Sequence, residues 1–188
     1  MTRCLPLLLI GMCLAGAQAA PQDLDQVMQL LAARRHGEVS FIEQHFVSLL
    51  KRPVESSGEL IYDAPNRLEK RTLEPRPERL VLEGTVLTLE RGRGTRVLDL
   101  KSYPQMAPFV EGIRATLAGD RRALENAFRL DFSGDAARWT LILTPSDAAV
   151  AKTISQIQIE GLRDTLFRVE IKQTDGDRSL MTLRAHPP

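Results

Sequence analysis

Cysteine, histidine and aromatic side chains are scarce in this 188-residue chain, and each shortage closes off a class of chemistry. The two cysteines, Cys4 and Cys13, lie in an N-terminal segment whose pattern predicts removal. Without it the chain has no thiol, hence no disulfide, no cysteine nucleophile and no thiolate-bound metal. The three histidines, His36, His45 and His186, show neither H-x-H nor H-E-x-x-H spacing, so no metal site and no cofactor are expected. Serine pairs such as Ser56-Ser57 lack the G-x-S-x-G elbow of a nucleophilic serine. Gly92-Arg93-Gly94 lacks the third glycine of a dinucleotide loop and reads as a turn. Asp175-Gly176-Asp177 lacks the spaced oxygen ligands that calcium requires and reads as a hairpin. No catalytic residue is assigned, and the chain is not expected to be an enzyme.

Excess charge of one sign is also missing. Losing Arg3 from the 25 Lys and Arg leaves a balance with the 24 Asp and Glu, which argues against nucleic acid as a partner. No apolar run reaches the roughly 20 residues of a membrane span. Arg3, the short apolar run Leu5 to Leu14 and Ala17-Gln18-Ala19 instead form a secretory signal peptide, residues 1–19, leaving a mature single domain over 20–188. Cys13 opens a second reading as the lipid-modified cysteine of a bacterial lipoprotein, which the bulky Met12 and the better downstream site disfavour.

Apolar periodicity supplies the fold. Leu24, Val27, Met28, Leu30 and Leu31 recur at helical spacing between Asp23 and Arg35, with Gly37 placed to stop the helix. The period then falls to two through Val39 with Phe41, Leu60 with Tyr62, Leu68, Leu80 with Leu82, Leu87 with Leu89, and Leu98 with Leu100. Turns at Glu83-Gly84 and Arg91 to Gly94 leave no room for crossover helices, so the strands form an antiparallel meander, apolar on one face. Met106, Phe109, Val110, Ile113 and Leu117 share one stripe of a second helix that opens near Pro104. A short third helix follows, capped by Asp120. Strands resume over 128–132, 138–144, 153–159, 166–172 and 179–184. The predicted fold is mainly β with α: an incomplete antiparallel β-barrel of about 10–11 strands with an N-terminal helix and an inserted helical lid at about 104–127.

A helix pair inside an antiparallel chain can bury its stripe only on the dry face of the sheet. The lid residues are therefore Met106, Phe109, Val110, Ile113 and Leu117. A leucine-rich interior with few aromatics suits a flexible, chain-like guest. The candidate lipid-binding positions are Phe41, Leu60, Tyr62 and Leu68, then Leu80, Leu82, Leu87 and Leu89, then Leu98, Leu100, Trp139 and Leu141. Gly112 within the lid helix costs about 1 kcal/mol relative to alanine. It marks either a close approach of a neighbour or a helix made easy to disturb.

Gly58-Glu59-Leu60 running to Pro65-Asn66, Trp139-Thr140-Leu141-Ile142-Leu143-Thr144-Pro145 and Asp177-Arg178-Ser179, taken with the element order, resemble the LolA-like periplasmic carriers of outer-membrane lipoproteins. The resemblance covers essentially the whole mature chain. It implies a monomer in the periplasm that binds a lipid or acylated cargo, with an inner-membrane donor and an outer-membrane acceptor. In that family an arginine before the proline after the second strand holds the lid; here that position is Ala64, and Arg67 is the candidate substitute. The departure implies a divergent member whose cargo is a lipoprotein, another lipid or a glycolipid. The same concave sheet also suits a non-catalytic protein-binding or assembly module, and a lipid hydrolase is a third possibility.

Overall fold

The computed structural model describes residues 21–103 and 107–185. The signal-peptide reading with Cys4 and Cys13, the Pro104 helix start, Met106 and His186 fall outside the described residues, as does the side chain of Phe109.

The helix α1 (Pro21–Ala33) leads into β1 (His36–Phe46), β2 (Val54–Asp63), β3 (Arg67–Glu74), β4 (Glu78–Glu83), β5 (Val86–Arg91) and β6 (Gly94–Asp99). A 3-10 turn at Leu100–Ser102 and the helices α2 (Ala107–Leu117) and α3 (Arg121–Ala127) follow. The chain then returns to strands β7 (Phe128–Gly134), β8 (Trp139–Pro145), β9 (Ile154–Leu162), β10 (Thr165–Gln173) and β11 (Arg178–Ala185). All form one 11-stranded antiparallel sheet in the order β6-β5-β4-β3-β2-β1-β11-β10-β9-β8-β7. Two meanders are thus joined in the middle by β1 pairing with β11. The segment 100–127 carries the chain from one open edge, β6, to the other, β7, so its helices lie across a sheet that never closes.

The turn chemistry sits where the sequence places it. Gly84, Gly92 and Gly176 take positive φ between paired strands, the conformation glycine adopts without a Cβ clash. Asp120 caps α3 by accepting from the Ala123 amide at 3.0 Å. Gly37 is not a helix stop: α1 ends at Ala33 and Gly37 is already in β1, paired opposite Tyr62.

Cross-strand register carries one apolar face through the sheet. Leu68 pairs Leu82, Leu82 pairs Leu87, and Leu87 pairs Leu98 on one side; Val169 pairs Ile159 and Ile159 pairs Leu141 on the other. The C-terminal half of that face is covered. Leu24, Val27, Met28 and Leu31 of α1, Ala115 of α2 and Leu124 of α3 bury against Trp139, Leu141, Leu143, Ile157 and Ile159. The helices are also tied to one another, Arg121 of α3 donating to Asp25 of α1 at 2.7 Å. A Cβ on Gly112 would stand 3.0 Å from the Phe128 ring and 3.3 Å from Leu143. Close approach to the sheet therefore explains this glycine, as it does Gly161, where a Cβ would stand 2.1 Å from the Trp139 indole.

The outer face of β3 holds a carboxylate that alternation alone would leave in solvent. Glu69 is 0% exposed, beneath Arg79 (2.7 Å), Arg71 (2.6 Å) and Arg67. Among the described residues no helix is long and apolar enough to cross a membrane.

Candidate functional site: an apolar cavity under the second helix

Because the helices bury only half of the apolar face, the other half is left as the wall of a cavity of about 330 Å³, within the range of small-molecule pockets. Leu60, Leu68, Leu80, Leu82 and Leu87 form the N-terminal wall, with Tyr62 among them. Val39 on β1 lies at the middle, and Leu166, Val169, Ile171, Met181 and Leu183 form the opposite wall. Val110, Ile113 and Leu117 of α2 face in from above.

The structure gathers most of the sequence-derived positions here and places the rest elsewhere. Leu60, Tyr62, Leu68, Leu80, Leu82 and Leu87 line the cavity, as do Val110, Ile113 and Leu117. Leu100 instead buries against Leu82 and Leu87, with Leu98 packed alongside, forming a small second core that also takes Val110. Leu89 pairs Leu80 further along the same face. Phe41, Trp139 and Leu141 belong to the packed core rather than the cavity wall, because α1, α2 and α3 stack on that half of the sheet. The wall contributed by β10 and β11 escaped the sequence reading. Period-two alternation marks which face a residue is on, but not which half of that face the helices cover.

Two charges on inward positions were missed as well. In β1 the inward series Val39, Phe41 continues to Glu43, and in β3 Leu68 continues to Lys70; both line the cavity. Lys70 bonds the Glu43 carboxylate, Ser179 donates to it at 2.5 Å, and the Lys70 ammonium stands 4.9 Å from the Phe41 ring centre. Burial pushes the Glu43 carboxyl up, but the Lys70 charge and the hydrogen bonds from Lys70 and Ser179 outweigh it, leaving it below the usual carboxylate range. The Glu43 carboxylate is therefore ionised on a mainly apolar wall. Arg34, at the C-terminal end of α1, is held by Thr165 Oγ1 at 2.7 Å.

The hinge between sheet and helix also differs from the expectation for Arg67. That side chain faces outward and bonds Asp63 at 3.0 Å and Glu83 at 3.1 Å, because odd-numbered positions of β3 are on the outer face. The arginine that joins α2 to the β2–β3 hairpin comes from the helix: Arg114 donates to Asn66 Oδ1 at 2.8 Å. Among the described residues no cluster of three or more His, Cys, Asp or Glu could hold a metal.

A family model described as "Outer membrane lipoprotein carrier protein LolA-like" matches residues 15–186. No curated protein matches by sequence. Solved structures with a similar fold include a LolA superfamily protein from Nitrosomonas europaea, 10% identical, covering 89% of this chain and 93% of that one at a TM-score of 0.44. LppX from Mycobacterium tuberculosis is 10% identical over 90% of this chain and 98% of its own, with a TM-score of 0.44. The Pseudomonas aeruginosa MucA/MucB complex matches at 16% identity and a TM-score of 0.46, over 88% of this chain and 59% of that one.

Proposed function

This chain belongs to the outer membrane lipoprotein carrier protein LolA-like family, and from that premise we propose that it is a non-enzymatic periplasmic carrier. In this reading residues 1–19 are removed on export. The mature protein then takes acyl chains of a lipoprotein, lipid or glycolipid into the cavity beneath α2 and delivers them toward the outer membrane. The observation that supports it is the cavity itself: about 330 Å³, walled mainly by aliphatic side chains from both meanders and from α2.

The energetics fit a carrier. Each buried methylene is worth about 0.8 kcal/mol, so a few methylenes under α2 hold a lipid against water while still allowing release to a better acceptor. Val110, Ile113 and Leu117 lie on the same apolar wall that a fatty tail would use. Closing the helix and loading the cargo therefore compete, and cargo binding shifts the helix toward the open state.

Native mass spectrometry of the protein purified from its own host is the test. Co-purifying lipid masses are expected. A lipid-free mass, together with no uptake of lipid from vesicles, would sink the carrier reading, and a bound protein in its place would favour the assembly module.

A further inference from the structure

The polar groups on the cavity wall are not equal. Glu43, Lys70, Ser179, Arg34 and Thr165 all have partners. The Tyr62 hydroxyl has none among the described residues, although Tyr62 is only 5% exposed and lines the cavity. Its cross-strand neighbours are Gly37 and Leu68, neither of which offers a polar side chain.

A buried hydroxyl without a partner is disfavoured, and such groups in native proteins call for an explanation. Phenylalanine would supply the same apolar ring without that cost. Burial pushes the phenol up from its usual range, against the opposing charges of Arg114 and Arg35, so at neutral pH the group is an O–H donor. Tyr62 lines the same cavity as Val110, Ile113 and Leu117 of α2. An occupant that enters as α2 moves off meets leucine side chains along its length and, in the Tyr62 hydroxyl, a donor that has no partner among the described residues.

We propose that the Tyr62 hydroxyl donates to the carbonyl oxygen of the cargo's acyl group, so that the cavity selects fatty acyl esters, amides and acids over plain hydrocarbon. This rests on the carrier reading and narrows its cargo.

The test is Tyr62→Phe in the full mature chain, with methyl palmitate, palmitate and hexadecane each displacing a neutral naphthylamine dye from the cavity. Loss of one hydrogen bond weakens methyl palmitate and palmitate by roughly fivefold and leaves hexadecane unchanged. A loss restricted to palmitate would still support donation by Tyr62 and narrow the cargo to free acids. Unchanged ester and acid affinities, or an equal loss for hexadecane, would overturn the inference while leaving the carrier reading intact. Wild-type protein that takes up none of the three would overturn both. In the absence of ligand, Tyr62→Phe unfolds at the wild-type temperature or above it; a clear drop would reveal a partner for the hydroxyl in the empty protein and also overturn the inference.

Discussion

Arg114 on α2 reaches across 48 residues of sequence to the Asn66 side-chain oxygen, 2.8 Å away on the β2–β3 hairpin. It is also bonded to Glu111 one turn back on its own helix at 2.6 Å, which fixes the guanidinium in the direction of the hairpin. This is a tie between the element that closes the cavity and the strand pair that forms one of its walls.

Cutting that tie should loosen the closure rather than unfold the protein. For Arg114→Ala and Asn66→Ala we expect dye uptake in stopped flow to quicken by roughly three- to tenfold, as follows from losing one solvent-exposed hydrogen bond from a charged group. The double variant should be no faster than either single one, because both remove the same bond. Uptake at the wild-type rate in both single variants would show that the bond does not govern opening.

The charged pair inside the cavity gives a second prediction. Lys70→Met leaves the Glu43 carboxylate in an apolar wall with Ser179 as its main remaining support, at an expected cost of about 1–3 kcal/mol in urea unfolding. Replacing Glu43 as well, by Met, removes the stranded charge and should recover most of that loss. A double variant as unstable as the sum of the two single ones would mean that the pair acts independently.

Glu69 ties acid stability to the outer face of the sheet. Hydrogen bonds from Arg79, and then, against the opposing push of burial, from Arg71 and Arg67, hold its carboxyl at about 2, compared with 4.5 in an unfolded chain. A group whose folded value is depressed stabilises fully above the unfolded value and loses that contribution as pH falls through the folded one. Wild-type stability should therefore fall by at most about 3 kcal/mol from this group between pH 5 and pH 2. Glu69→Gln should be less stable than wild type at pH 7 and show a flatter acid limb. Parallel acid limbs for the two proteins would contradict the role given to this carboxylate.

The sequence carried local structure well and three-dimensional coverage poorly. Glu83-Gly84, Asp175-Gly176 and the Asp120 cap are decisions made within a few residues, and the chain adopts them as written. Alternation fixed which face of each strand is dry, so Leu60, Leu68 and Leu82 were legible as inward residues. That α1, α3 and the Ala115 side of α2 stack on one half of that face was not legible. This packing turned Trp139 and Leu141 into core and left Val169 and Met181 on the wall. Glu43 and Lys70 were legible in principle, as charges at inward positions of an apolar alternation. Their pairing needed the register of β1, β2 and β3. The Arg114–Asn66 tie joins residues that no local pattern relates.

Ile113 offers the most direct check on the second helix as a closing element. It faces the cavity between Val110 and Leu117, and glutamate is a good helix former at that position, so Ile113→Glu leaves α2 helical. A carboxylate facing aliphatic walls is strongly disfavoured unless it is neutralised or the helix swings outward. In the first case the side chain occupies the space a fatty tail would use, and in the second the closed state is lost. Either way retention of a bound fatty acyl chain should drop by at least an order of magnitude, which follows from loss of about two methylenes' worth of burial. Far-ultraviolet circular dichroism should stay near that of wild type. Asn126→Glu, on the exposed side of α3, is the matched charge control and should retain cargo normally. Equal retention in the two variants would show that the face of α2 turned to the cavity has no part in holding the guest.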